Sequence, residues 1–313
     1  MCKEQLKFVL DQTNFNGLGE KYAGKVRDCY INSDTIFLIT SDRLSAFDVE
    51  LTTIPFKGEI LNKLALNAFK NTEDIIENHI IDVPDPNVVV AKKVEILPIE
   101  IIVRGYLSGS ALRSYKKGEG VSGIKLREGY SDYGKLDNLI ITPSTKAEKG
   151  NHDLPISEEE ILSKNILAKT LLDEVKEVSL ALFERETKIA ETKGLILADT
   201  KYEFGLSNGK LVLADEIHTL DSSRYFLKYD YINSTENSKT PKMLDKEPIR
   251  QWLISKGYMG EGEIPLIDDE KRIEIATHYL STCQLLLGDD LGLKVENVEE
   301  RIANNLKEKY LSA

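Results

Sequence analysis

The chain has 313 residues and a net charge of −11, from 41 basic and 52 acidic side chains. This length suffices for one large domain or two to three smaller ones. The acidic balance argues against a nucleic-acid binder, which carries a net basic surface. Three scattered cysteines indicate a reducing cytoplasm rather than a disulfide scaffold. Because no apolar run has membrane-spanning length, we expect a cytoplasmic protein that binds neither nucleic acid nor membrane.

The first notable element is a glycine-rich stretch, 17-GLGEKYAGKVRDCY-30. It has the spacing of a phosphate-binding P-loop up to Lys25, but Val26 stands where a P-loop needs Ser or Thr to hold Mg²⁺. Residues 25–30 and 35–40 also predict a β-hairpin around Asn-Ser-Asp, so the lysine opens a strand and not a helix. Two interpretations remain: a glycine-rich turn that covers nucleotide phosphates, as in protein kinases, or a plain hairpin turn.

The remaining elements follow from apolar spacing and turn signals. A capping box at Ser157 predicts the start of a long helix that ends at Gly194. The other predicted elements are a helix at 60–70, strands at 88–94, 100–107, 195–204 and 210–217, and helices at 247–256 and 271–287.

A strand-to-helix junction, 97-LPIEIIVRGYLSGSALRSYKKGEG-120, is the first candidate site. Glu100 and Arg104 share a strand face because their spacing is even. The Ser108-Gly109-Ser110 segment then leads into a short helix. Serine at a helix N-terminus beside an arginine suits a phosphate monoester, although an ordinary N-cap is the alternative.

A charged hairpin, 195-LILADTKYEFGLSNGKLVLADEI-217, is the second candidate. Three charged residues alternate along its first strand and so share one face: Asp199, Lys201 and Glu203. A two-residue turn would add Glu216 to this face, whereas a three-residue turn would pair Lys201 with Asp215. Carboxylates together with nucleotide phosphates are the usual ligands of Mg²⁺, but a solvated strand face would look the same.

A third cluster lies in 215-DEIHTLDSSRYF-226, where Asp221 to Arg224 form either an N-cap with a surface arginine or a second phosphate clamp. Two further loops, 40-TSDRLSAFDVE-50 and 142-TPSTKAEKGNHDLP-155, are too rich in ionisable groups to be mere turns. Together these signals indicate a site for ATP with Mg²⁺ and a second anionic, phosphorylated small molecule.

With these residues in view, nearly the whole chain resembles the SAICAR synthetase (phosphoribosylaminoimidazole-succinocarboxamide synthase) family. The most specific matching segments are LPIEIIVRGYLSGSA and LADTKYEFG, and GKVRDCY, SDRLSAFD and DEIHTLDSSRYF match in the expected order. The resemblance implies an α+β, SAICAR synthase-like fold of the longer, single-function type. It has a small kinase-like N-terminal β domain, residues 1–96, and an ATP-grasp-like α+β domain with C-terminal helices, residues 97–313, with ATP between them.

The activity implied by the resemblance is that of an ATP-dependent amide ligase of de novo purine biosynthesis. It joins L-aspartate to the carboxylate of carboxyaminoimidazole ribonucleotide (CAIR), through an acyl phosphate, and gives SAICAR, ADP and phosphate. ATP, CAIR and L-aspartate are then the partners, Mg²⁺ is the metal, and monomer and homodimer both remain open.

The resemblance also implies roles for single residues. Glu203 and Asp215 would hold Mg²⁺, which favours the three-residue turn. The other implied roles are catalysis by Lys201, Asp199 and Asp221; nucleotide binding by Gly24, Lys25, Lys201, Glu203 and the backbone at 91–94; a phosphate clamp of Arg104, Ser110 and Arg224; and contacts to substrates from Glu100, Lys146 and His152.

Two other classes compete with the ligase. A small-molecule kinase would share Lys25, Glu203 and Asp215 but would need neither aspartate nor the second phosphate clamp. A catalytically silent nucleotide-binding module is disfavoured because all the expected polar positions are present. A protein kinase is excluded, since the chain has no HRD or DFG motif.

Overall fold

The computed structural model describes residues 1–146, 153–236, 240–307 and 309–311. These residues form two compact units. Unit 1 comprises Met1–Asn67, His79–Lys93 and the chain from Lys246 onward, and unit 2 comprises Ala68–Asn78 and Val94–Asp245. The predicted boundary after residue 96 therefore falls close to Lys93, but the C-terminal helices group with the N-terminal sheet and not with the second domain.

The secondary structure alternates short strands with a few long helices. The N-terminal part forms α1 (Cys2–Gln5), β1 (Glu20–Ala23), β2 (Arg27–Ile31), β3 (Thr35–Thr40), β4 (Arg43–Ala46), β5 (Val49–Thr53), α2 (Lys57–Lys70), β6 (Ile80–Asp85) and β7 (Val88–Lys92). The middle part forms β8 (Glu95–Ile96), β9 (Ile99–Tyr106), α3 (Gly109–Lys116), β10 (Lys135–Ile141), β11 (Ser144–Thr145), α4 (Glu158–Ser163), α5 (Lys169–Thr192), β12 (Leu195–Ser207), β13 (Lys210–Ala214), β14 (Ser223–Leu227) and α6 (Lys228–Glu236). The C-terminal part forms α7 (Glu247–Ser255), α8 (Asp269–Leu287) and α9 (Val298–Lys307). In the described part of the chain, no helix combines the length and apolar character that crossing a bilayer requires.

Unit 1 is built on a five-stranded antiparallel sheet in the order β1-β2-β3-β7-β6. The predicted hairpin is present as β2 and β3. The glycine-rich stretch contains β1 and most of β2, and residues 24–26 between them form what we call the glycine-rich turn. Helix α9 completes the core of this sheet, because its buried face packs with strand residues in one apolar cluster. The cluster includes Tyr30, Phe37, Ile39, Val298, Ile302 and Leu306.

Ionic contacts also hold α9 within unit 1. The Arg301 guanidinium lies 3.0 Å from the Asp85 carboxylate and 3.2 Å from that of Glu59. Asn305 donates a further hydrogen bond of 2.7 Å to Asp85. The C-terminal segment therefore belongs to unit 1 for a physical reason. The apolar face of α9 packs on the N-terminal sheet, and its polar side chains pair with residues of α2 and β6.

Unit 2 is organised around β12, the long central strand of a seven-stranded sheet. The first half of β12 lies between β9 and β14, and the second half pairs with β8 and β13. Helix α5 packs against β9 and β12 with a buried face that includes Leu182 and Phe183. Apolar side chains thus occupy one sheet face, and charged side chains alternate onto the other.

The predicted helix from Ser157 to Gly194 is two helices, so its continuity was wrong. The capping box is confirmed, because the Ser157 hydroxyl accepts from the Glu160 amide while the Glu160 side chain accepts from the Ser157 amide. The chain then turns at Asn165, whose φ of +53° is left-handed and cannot continue an α-helix. Gly194, with φ +71°, follows the end of α5 as predicted.

The predicted three-residue turn between β12 and β13 was also wrong. Ser207 pairs directly with Lys210, which leaves a two-residue turn of Asn208 and Gly209. Both turn residues have positive φ, +51° and +76°, as a type I′ turn requires. The Asn-Gly dipeptide is the usual sequence signal for this turn.

The packing of α9 makes unit 1 sensitive to a single core substitution. Ile302 is fully buried, so Ile302→Ala should lower the free energy of unfolding by about 2–5 kcal/mol, through lost burial and the cavity left behind. Leu266, which is 87% exposed, supplies the control: Leu266→Ala should change it by less than about 0.5 kcal/mol. Urea unfolding followed by circular dichroism measures both, and equal losses would contradict the assignment of α9 to the core.

Candidate functional site

The charged face of unit 2 is created by strand register. Asp199 on β12 lies directly opposite Arg104 on β9 and opposite Arg224 on β14. Because side chains alternate along a strand, Lys201 and Glu203 follow Asp199 on the same face, and Glu100 shares that face with Arg104. Two groups of charges therefore lie side by side, one around Asp199 and one around Lys201.

The first group, which we call the arginine cluster, comprises Arg104, Asp199, Arg224, Ser108 and Ser110. Its three charged members are buried. Asp199 Oδ2 lies 2.5 Å from Arg224 Nη1 and 3.7 Å from Arg104 Nη1. Arg104 Nη2 also donates to the Ser110 hydroxyl at 3.0 Å. The two guanidinium groups supply forked donors of the kind that bind carboxylates and phosphates.

The junction before α3 is shaped to fit Arg224. Ser108 occupies the N-cap position, but its hydroxyl donates to Asp199 and does not cap the helix. Gly109 has φ +55°, and a Cβ there would lie 2.8 Å from Arg224 Nη1. A side chain at Gly109 would therefore strain the backbone and displace a buried guanidinium. The ordinary N-cap interpretation of this segment was wrong.

Asp199 stays ionised in this setting. Burial works to raise the pKa of Asp199, but Arg224, Arg104 and the hydrogen bond from Ser108 outweigh it and hold the pKa below its ordinary value. Arg224 lies within β14, buried, so the alternative of a surface arginine after an N-cap was wrong. Its Nε lies 3.3 Å from the carboxylate of Asp245, which the sequence analysis did not single out.

The second group, the lysine–carboxylate cluster, comprises Lys201, Glu100, Glu203, Asp215 and Lys146. Lys201 Nζ lies 3.0 Å from Glu100, 3.5 Å from Asp215 and in hydrogen-bond contact with Glu203. Lys146 makes a second ion pair with Glu203. One lysine thus contacts three carboxylates drawn from β9, β12 and the residue after β13.

Asp215 reaches Lys201 by a route that strand pairing alone does not give. The observed register pairs Glu203 with Ala214, the last residue of β13. Asp215 follows with φ +61°, so the chain leaves the strand geometry at that residue. The left-handed conformation redirects the side chain toward Lys201, which makes the predicted three-residue turn unnecessary.

Electrostatics differ among the members of this cluster. Burial raises the pKa of Glu100 to about 7, with Glu203 and Asp153 acting in the same direction and Lys201 opposing them. Burial works to lower the pKa of Lys201, but Glu203, Glu100 and Asp215 outweigh it, so this pKa lies well above its ordinary value. Lys201 therefore remains a cation that can neutralise phosphate oxygens.

The donor set fits a magnesium ion that shares its ligands with a nucleotide. Among the described residues, no three histidine, cysteine or acidic side chains converge to hold a metal alone. Mg²⁺ needs fewer protein ligands than three, because it is commonly held by one or two carboxylates, substrate phosphates and water. Glu203 and Asp215 supply two such carboxylates, and both contact Lys201.

The other predicted site residues have mixed positions. In unit 1, Lys25 projects from the glycine-rich turn, is 53% exposed and pairs with Asp48. In unit 2, Asp221 lies in the turn before β14, where its amide donates to the Thr219 hydroxyl at 3.2 Å. His152 falls outside the described residues. The adenine contact at residues 91–94 stays a prediction.

Behind the charged face, a buried carboxyl group joins α5 to β14. Glu186 is buried on α5 and accepts a hydrogen bond of 2.8 Å from Tyr225. Burial raises the pKa of Glu186 to about 7. Nearby, Tyr202 hydrogen-bonds His218 Nε2 at 3.2 Å, and burial lowers the pKa of His218 to about 3. These residues form a polar layer within an otherwise apolar packing face.

The fold and the two clusters define an α+β protein with buried arginine, lysine and carboxylate side chains gathered on one sheet face. The chain belongs to the SAICAR synthetase family, whose sequence profile matches residues 20–265.

Individual relatives agree with this membership. A phosphoribosylaminoimidazole-succinocarboxamide synthase from Cytophaga hutchinsonii is 42% identical over 305 residues, which is 95% of this chain and 98% of the relative. A SAICAR synthase from Saccharomyces cerevisiae, solved in complex with SAICAR, is 28% identical and has a TM-score of 0.78 over 91% of this chain and 100% of that one. A type-2 SAICAR synthetase in complex with ADP shares the fold, with 24% identity and a TM-score of 0.65 over 86% of this chain and 98% of that one.

Glu186 should give unit 2 a pH-dependent stability. A carboxyl pKa of about 7 in the folded state exceeds that of an unfolded glutamate, about 4.3, so the folded state holds a proton that the unfolded state releases. This stabilisation is complete below about pH 4 and is lost as the pH rises through about 7. Relative to Glu186→Gln, the wild-type free energy of unfolding should fall by roughly 3 kcal/mol between pH 4.5 and 8.

Urea unfolding at a series of pH values measures this difference. The exposed Glu184 on the same helix supplies the control, because Glu184→Gln should follow the wild-type curve. Parallel curves for the wild type and Glu186→Gln would contradict a neutral buried carboxyl group.

Proposed function

We propose that the arginine cluster and the lysine–carboxylate cluster carry out the reaction of the SAICAR synthetase family. As a member of this family, the protein is an ATP-dependent carbon–nitrogen ligase of purine biosynthesis. It joins L-aspartate to the carboxylate of CAIR and yields SAICAR, ADP and phosphate. The observation that carries the residue assignment is the buried Arg104–Asp199–Arg224 arrangement, because a generic small-molecule kinase has no need of this second phosphate site.

In this proposal the arginine cluster binds the phosphate monoester of CAIR. Arg104 and Arg224 supply charge and forked donors, and Ser110, already in contact with Arg104, adds a hydroxyl. Asp199, to which the resemblance gave a catalytic role, contacts both arginines. Its role is therefore to hold the two guanidinium groups in place.

The lysine–carboxylate cluster then serves the nucleotide and the reacting carboxylate. Glu203 and Asp215 hold Mg²⁺, which offsets phosphate charge when bound. Lys201 neutralises the phosphoryl oxygens between these carboxylates, and Lys25 with the backbone at Gly24 contributes to phosphate binding in unit 1. The remaining assignments are Glu100 to the aminoimidazole of CAIR, Asp221 to the region of the metal and the CAIR carboxylate, and Lys146 and His152 to the substrates.

The chemistry requires activation because a carboxylate is a poor electrophile whose leaving group would be oxide. The CAIR carboxylate oxygen attacks the γ-phosphorus of ATP, which releases ADP and forms an acyl phosphate. The aspartate amine then attacks the acyl carbon and loses a proton, and phosphate departs with the former carboxylate oxygen. The protein contributes positioning and charge neutralisation, and we assign both roles to Lys201.

The direct test is ADP release with ATP, Mg²⁺ and CAIR present and aspartate either added or withheld. We expect aspartate-dependent ADP release and a product heavier than CAIR by aspartate minus water. ADP released equally without aspartate would favour a kinase or an uncoupled hydrolase and would overturn the ligase assignment.

The metal assignment is tested separately by substitution. Glu203→Gln and Asp215→Asn should each lower turnover more than about 100-fold and remove the Mg²⁺ dependence of ADP binding measured by calorimetry, because each deletes a ligand charge. Glu216→Gln, which changes the neighbouring carboxylate, is the matched control and should retain that dependence. Wild-type Mg²⁺ dependence in either test variant would remove its residue from the metal site.

A further inference from the structure

One buried arginine in unit 1 organises the glycine-rich turn and has no role in the site described so far. Arg43 begins β4, and its side chain is only 4% exposed. Its guanidinium donates to the carbonyl oxygen of Gly24 at 3.1 Å and to that of Lys25 at 3.2 Å. It also donates to the carbonyl of Asp11 and to the carboxylate of Asp28 at 2.9 Å.

The next carbonyl of the turn, that of Val26, is bound by Ser41, two residues before Arg43. The Ser41 hydroxyl donates to the Val26 carbonyl at 2.8 Å, and the Ser41 amide donates to it at 3.0 Å. Three consecutive carbonyl oxygens, from Gly24 to Val26, are therefore bound by residues 41–43. Within a planar trans peptide the C=O and N–H point in opposite directions. The amide groups of Lys25 and Val26 consequently face away from Arg43, as a phosphate-binding turn needs.

The β4–β5 hairpin also contacts the lysine side chain. Phe47 and Asp48 form its turn with positive φ, +54° and +62°, and Asp48 pairs with Lys25. Arg43 at the start of the hairpin thus fixes the backbone of the glycine-rich turn, while its tip contacts the Lys25 side chain.

The charge of Arg43 is paired with the buried carboxylate of Asp28. Burial works to raise the pKa of Asp28, but hydrogen bonds from Thr13, Lys21 and Arg43 outweigh it and hold the pKa below its ordinary value. The anion accepts from the Thr13 amide at 2.6 Å as well as from Arg43. Only arginine supplies several donors in one planar fork, so lysine could replace the charge but not the set of bonds.

We infer that Arg43 is a positioning residue for ATP: it fixes the glycine-rich turn so that Lys25 and the amides beside it meet the phosphates, without touching the nucleotide itself. This inference rests on the proposed nucleotide role of Lys25. It assigns a specific function to the ionisable loop 40–50.

Arg43→Lys tests the inference with ADP as the probe. We expect calorimetric affinity for ADP with Mg²⁺ to fall about 10-fold and the KM for ATP to rise correspondingly, while the KM values for CAIR and aspartate stay within about twofold. Arg301→Lys is the matched control, because Arg301 is another well-buried, multiply paired arginine of unit 1 and contacts Asp85 and Glu59. It should lower stability while leaving ADP affinity unchanged.

Several outcomes would overturn the inference. Wild-type ADP affinity in Arg43→Lys would do so. An Arg301→Lys variant that loses as much ADP affinity as Arg43→Lys, with a similar fall in melting temperature, would also overturn it. If Arg43→Lys fails to fold, Ser41→Ala removes the hydroxyl bond to Val26 and should lower ADP affinity by a smaller factor, about threefold; unchanged affinity there counts against the inference.

Lys25→Ala separates this inference from the proposed function. Weakened ADP binding in Lys25→Ala together with unchanged ADP binding in Arg43→Lys would contradict only the role of Arg43. Unchanged binding in Lys25→Ala would overturn both the nucleotide role of Lys25 and the inference that depends on it.

Discussion

The structure of unit 2 depends on one buried carboxylate between two buried arginines. Removing charges from water costs several kcal/mol per ion unless they are paired and hydrogen-bonded, so Asp199 must stay opposite Arg104 and Arg224. That requirement fixes the register of three strands. It also explains the local sequence at the start of α3, where Gly109 leaves space for one guanidinium and Ser108 turns its hydroxyl to the carboxylate.

The same sheet face carries a second group of charged side chains, the lysine–carboxylate cluster. Around Lys201 three acidic side chains meet two lysines, Lys201 and Lys146, and burial raises the pKa of Glu100 to about 7. One cluster thus presents two guanidinium groups, and the neighbouring cluster presents three acidic side chains with two lysines. A substrate with a phosphate at one end and a reacting carboxylate near a metal-bound nucleotide suits this arrangement, because guanidinium groups bind phosphate and carboxylates bind Mg²⁺.

Much of this arrangement was predictable because it is local in the sequence. Period-two alternation placed Asp199, Lys201 and Glu203 on one face, and the capping box marked the start of α4. The errors arose where a single backbone angle decides the outcome. Apolar spacing continues through Asn165 although its left-handed conformation divides the helix, and Asp215 reaches Lys201 by a positive φ that no side-chain pattern announces. Arg43 and Asp245 received no role because most of their partners lie far away in the sequence, although the loop containing Arg43 was recognised as unusually ionisable.

The return of α9 to the N-terminal sheet has a consequence for the order of folding. Strands β2 and β3 emerge early during synthesis, but Ile302 and Leu306, which close their apolar core, are made long afterwards. Unit 2 lies almost entirely between these two parts of the chain. Domains generally fold as units while the chain is made, so unit 2 is complete first and unit 1 last. The apolar face of the N-terminal sheet is therefore covered by α9 only after nearly all of the described residues have been made.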